Sequence, residues 1–113
     1  MDKLVNYRDL LKMLFTRYAE LLDQQPTPDA EIEVVLDETG DNYMLLEIGW
    51  ANRRRVKQTI LYVRLRHGKF WIEEDSLEEG IATDLLEAGV PKQDIVLAFQ
   101  HPDMRPFTEF AVA

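Results

Sequence analysis

In "GWANRRRV", Trp50 and Asn52 lead into Arg53, Arg54, Arg55 and Lys57, and Arg64, Arg66 and Lys69 follow before the next acid. Such a run is suited to phosphate: guanidinium groups grip phosphate oxygens, and Trp50 or Trp71 supplies a plane on which a base could stack. The competing expectation is structural. A tight turn near Asn52 would set Glu47 opposite Lys57, and an acidic strand face bearing Glu31 and Glu33 would neutralise other cations by cross-strand pairing. The chain carries a net charge of -8, and all 21 acids lie outside the cationic stretch. A field of that sign repels nucleic acid, so the balance favours ion pairing or a protein partner over a direct grip on DNA.

Other chemistry finds less support. Glu31, Glu33, Glu73, Glu74 and Asp75 could hold Mg²⁺ for a nuclease, but the E-x-K triplet of the common restriction-type site is missing. The expected metal set is therefore none. The two histidines, His67 in "RHGK" and His101 in "QHPD", lack metal-ligand spacing, and no nucleophile accompanies His101 and Asp103. The glycines are scattered and form no phosphate-cradling loop, so no nucleotide cofactor is expected. The absence of cysteine removes disulfides and thiolate catalysis. These observations point away from an enzyme.

The elements that must carry these residues follow from periodicity. Residues 2–24 read as one helix: Leu4, Tyr7, Leu11, Leu14, Tyr18 and Leu21 recur at helical spacing, widened by Leu10, Phe15 and Leu22. Asp2 is placed to cap it, and Pro26 with Pro28 to stop it. "EIEVVLDE" alternates Ile32, Val34 and Leu36 against Glu31 and Glu33. "YMLLEIGW" sets Met44, Leu46, Ile48 and Trp50 against Tyr43, Leu45, Glu47 and Gly49. With "VKQTILYVRLR" and "FWIEE", these make four strands on short links, an antiparallel meander. Ser76 and Glu79 have capping-box spacing for a second helix that closes at Gly89, and "DIVLAF" is a short apolar strand or buried segment. The expected fold is α+β, a long N-terminal helix on an antiparallel sheet of four or five strands with a shorter second helix, in a single domain over residues 1–113. The opening lacks the basic start and apolar run of a signal peptide, and no stretch approaches a membrane span, which implies a cytoplasmic protein. The tail "FTEFAVA", with Phe107 and Phe110, is too apolar to hang free and docks either in its own fold or on a partner.

Five segments in order, "MDKLVNYRDLL", "GWANRRRV", "GKFWIEED", "GIATDLLEAGVPKQDIVLAF" and "RPFTEFAVA", resemble the fdxN element excision controlling factor family, the XisI-like proteins of cyanobacteria and some other bacteria. The resemblance is most specific at the end, in Gly89 to Phe99 and Thr108 to Ala113. It marks Trp50, Asn52, Pro91, Asp94, Arg105, Phe107 and Phe110 as motif and candidate partner-binding positions. It implies an accessory role in programmed excision of a DNA element by a separate recombinase, beside a XisH-like partner protein, with no catalytic residues to carry over; the further expectation is a homo-oligomer. The rival expectations are an antitoxin-like cover for a nuclease-like neighbour, which the acidic balance suits equally, and direct DNA binding through the Arg53–Lys69 stretch.

Overall fold

The computed structural model describes residues 3–24 and 29–113. The expected cap at Asp2 and the stop at Pro26 and Pro28 lie outside the described residues. Helix α1 spans Lys3–Asp23 and strands β1 to β4 span Ala30–Asp37, Asn42–Ala51, Arg54–Arg66 and Lys69–Asp75. Helix α2 (Ile81–Glu87) and strand β5 (Ile95–Leu97) follow. The sheet order is β1-β2-β3-β4-β5; the first four strands form the expected meander, and β5 joins β4 in parallel. The α+β architecture read from the sequence is thus the one observed.

Leu11, Leu14, Phe15 and Tyr18 of α1 are buried against Tyr43, Leu45, Leu61, Val63 and Leu65 of the sheet. At the end of α1, Leu21 is exposed while Leu22 packs against the core. Helix α2 adds Ile81 and Leu85 to the same core, so both helices cover one face of the sheet. Burying a leucine side chain in such a core contributes about 2 kcal/mol.

The second helix starts later than the capping-box spacing suggests. Ser76 does not cap it; its backbone N–H donates to the Ile60 carbonyl. Asp75 takes the capping role instead, accepting from the Leu77 and Ile81 N–H groups at 3.0 and 2.8 Å. The far end agrees with the glycine signal. Gly89 N–H donates to Leu86 O and Val90 N–H to Leu85 O, the paired bonds of a Schellman motif, with Gly89 at φ 93°.

Two hairpins turn on the fewest residues geometry allows. Asn52 and Arg53 between β2 and β3, and His67 and Gly68 between β3 and β4, all have positive φ, as a type I′ turn requires. Ile60 is an extra residue in β3, since Leu45 pairs with Leu61 and Leu46 with Thr59. That bulge shifts the pairing by one residue from Leu45 onward, on the side away from the turn.

Candidate functional site

The cationic stretch is divided by the fold into groups with different fates. Arg66 is turned inward to the chain: its guanidinium donates to the carbonyls of Gly40 and Leu65, both at 2.8 Å. Arg64 pairs with Glu73 at 3.6 Å, and Lys69 donates to the Ala113 carbonyl. Arg55 lies over the Trp50 ring, 5.2 Å from its centroid, a cation–π contact at the end of the hairpin. Arg53, Arg54 and Lys57 are exposed and form no ion pair among the described residues. Sequence proximity had made these seven one patch; strand alternation and neighbouring carbonyls make them several.

The expected pairing of Glu47 with Lys57 does not form. The two-residue turn at Asn52 and Arg53 pairs Ala51 with Arg54, so Glu47 stands opposite Gln58, whose amide donates to it at 2.7 Å, and Lys57 stands opposite Ile48. Glu31 also pairs in register with Ile48, and Glu33 with Leu46. Residues paired across antiparallel strands share a face. Glu31, Ile48 and Lys57 therefore cross the sheet in one line, on the face away from the helices, with Ile48 keeping the charges two strands apart. The neutralisation expected from Glu31 and Glu33 is absent too: neither forms an ion pair among the described residues.

This open face also carries a shallow groove of about 280 Å³ lined by Met44, Leu46, Ile48, Lys57, Gln58 and Thr59. Trp50 and Val35 are exposed beside it. The sequence held a signal for it: β2 is apolar on both sides, and two helices suffice to cover only one face of a five-stranded sheet.

Most motif positions are structural braces. An added Cβ at Gly49 would stand 2.2 Å from the Asp29 carbonyl oxygen, so only glycine lets β1 approach. Asn52 is a turn residue, φ 51°. The Pro91 carbonyl accepts from Asp94 N–H, starting the single 3-10 turn Lys92–Asp94. Asp94 in turn receives the Tyr7 hydroxyl at 2.6 Å and the Lys3 ammonium at 2.8 Å, tying α1 to the segment before β5. Arg105 lies over the Trp71 ring and donates to the carbonyls of Gln100, Ala98 and Val112. It thereby holds the tail, whose Ala111 N–H donates to Ile95 O beside β5, with Phe110 packed on the core. Of the two dockings open to the tail, Ala111 and Phe110 make the intramolecular one. Phe107 is the exception, 83% exposed, and Phe99, Met104 and Val112 of the same segment are exposed as well.

A second theme, unread in the sequence, is tyrosine on aspartate at the rim of the core. Tyr7 pairs with Asp94, Tyr18 with Asp84 and Tyr43 with Asp41. Burial, reinforced by the adjacent carboxylate, raises each phenol well above its usual range. Asp41 is lowered, chiefly by the two hydrogen bonds of Arg8 at 2.8 and 2.9 Å. At Asp94, burial works to raise the pKa, and the hydrogen bonds from Lys3 and Tyr7 outweigh it, leaving a net lowering. These groups are locked in structural bonds, and no group of three or more potential metal ligands gathers among the described residues.

Fold and surface together define a two-layer α+β protein with both helices on one side of a mostly antiparallel sheet and the other side open. The chain belongs to the XisI protein family, whose model matches residues 1–112. It is similar to the crystal structure of the fdxN element excision controlling factor XisI from Anabaena variabilis, at 41% identity over 99% of this chain and 100% of that one, TM-score 0.87. It is also similar to a XisI-like protein from the same organism, at 33% identity over 97% of this chain and 99% of that one, TM-score 0.90. No curated protein matches it. No helix among the described residues is long and apolar enough to cross a membrane.

Proposed function

We propose that this chain is a non-catalytic accessory factor that controls site-specific excision of a DNA element, acting with a XisH-like partner while a separate recombinase performs strand exchange. The observation that carries the reading is full-length similarity, at 41% identity, to a protein named as an excision controlling factor. An accessory factor works by binding, and its exposed apolar side chains are the means. The XisH-like partner docks on the C-terminal segment, where Met104, Phe107 and Val112 stand in solvent although the chain around them is anchored by Arg105. Solvent-exposed aromatic anchors on a rigid segment are what a protein interface uses.

The test is co-purification with the XisH-like protein. Removing the whole tail would also remove Ala111 from its bond to β5, so the informative change is Phe107→Asp, which leaves the core untouched. Wild type should co-purify at micromolar concentrations and Phe107→Asp should not. Failure of wild type to associate refutes the partner reading.

A second reading, direct DNA contact, is favoured by one specific feature: Arg53 and Arg54 at the hairpin tip form no ion pair among the described residues and are exposed next to Trp50. It predicts affinity that falls steeply with salt, with a slope reduced by about one for each lost phosphate contact in Arg53→Ala and Arg54→Ala. No binding at low salt eliminates it.

A further inference from the structure

The open face of the sheet has an ordered charge layout. On β1 it bears Glu31 and Glu33; on β2 it bears Leu46 and Ile48, flanked by Met44 and Trp50; on β3 it bears Lys57 and Arg55. Acid, apolar and basic rows thus lie side by side on three neighbouring strands. The registers fix the heights as well, Glu31–Ile48–Lys57 in one line and Glu33–Leu46–Thr59 in the next. The outer charges are exposed, and none forms an ion pair among the described residues.

Phosphate is a poor occupant for such a face, because the acidic row repels it. A surface holding both signs about an apolar centre is complementary to itself. Isologous association requires that property, since one patch must serve both partners. We infer that the open sheet face binds a second copy of this chain, about a two-fold axis running parallel to β2 and passing over Ile48.

The charges select that axis. Stacked sheets pack face to face about 10 Å apart with their strands nearly aligned. A two-fold axis lying between the sheets along β2 reverses left and right but preserves height along the strand. Ile48 then meets Ile48, and Glu31 of each copy meets Lys57 of the other. An axis across the strands would instead set acidic row against acidic row and basic against basic. The chosen axis also brings both β2–β3 hairpin tips to the same end of the dimer, so that Arg53 and Arg54 of two copies stand together. This arrangement requires no XisH-like partner, and its failure would leave the excision reading intact.

The test uses the full chain in sedimentation velocity between about 1 and 100 μM, with circular dichroism melts to show that each variant folds. Wild type should dimerise. Glu31→Lys alone and Lys57→Glu alone should each weaken self-association about tenfold or more, because two attractions become two repulsions. Mixing the two variants should restore a heterodimer, and combining both changes in one chain should restore the homodimer. Ile48→Glu should give a folded monomer. A wild type that remains monomeric at the highest concentration overturns the inference. So does a dimer insensitive to both charge reversals, or one that the mixture fails to rescue.

Discussion

Leu45 and Leu46 are neighbours in β2 with opposite surroundings. Leu45 lies under α1 with no solvent exposure, and Leu46 lines the open groove between Glu33 and Thr59. On the covered side, the rim is sealed by tyrosine–aspartate bonds and by Arg8 on Asp41, all within one chain. On the open side, charges stand exposed with an apolar row between them. The difference teaches where the work of folding stops: the first face holds the molecule together, and the second stays open to solvent.

The sharpest way to break that comparison is to truncate both leucines. Leu45→Ala should cost about 3 kcal/mol in urea unfolding, the sum of lost transfer energy and a cavity. Leu46→Ala should cost under about 1 kcal/mol at concentrations where the chain is monomeric. Equal losses would mean the second face is buried after all. Gly49→Ala comes next, at about 2 kcal/mol, because its new methyl group meets the Asp29 carbonyl and the Ala30 Cα and β1 must move away. A smaller loss on thermal denaturation would show that β1 yields easily.

Acid gives a further loss that belongs to the covered side. Asp41 and Asp94 have folded-state pKa values below their unfolded ones. Below an ordinary aspartate pKa of about 3.9 the unfolded chain takes up protons first, so stability present above that pH declines as pH falls towards the folded values. Melting temperature should therefore drop from about pH 4 downward, and Asp94→Asn should make that drop shallower. An unchanged slope would remove Asp94 from the account. The smallest expected effect is a gain. Arg53 occupies a left-handed position where glycine is preferred, so Arg53→Gly should stabilise the hairpin by about 0.5 kcal/mol, less than the full strain because glycine also loosens the unfolded chain. Loss of stability in that variant would mean that the Arg53 side chain makes a bond worth more than its strain.

Local pattern carried much of this protein. The three- and four-residue spacing from Leu4 to Tyr18, the strand alternation from Ile32 to Ile72 and the glycine that ends α2 each depend on neighbours within a few positions. The start of α2 is not legible in the sequence because Ser76 and Asp75 offer competing side-chain oxygens at adjacent positions, and the Ser76 backbone N–H bonds to Ile60 in β3. Nothing local distinguishes the two.

Sequence alone determined the α+β composition, the short links between strands and the likeness to one family across the whole length, because spacing and turn chemistry act over short range. Tertiary structure decided which side of β2 became the core, since that depends on where α1 and α2 come to rest. It also decided the fate of the cations. The two-residue turn at Asn52 and Arg53 set Lys57 opposite Ile48 rather than Glu47, and the Gly40 carbonyl, distant in the chain, captured Arg66. A side chain's charge is written in the sequence; its partner is set by register and packing.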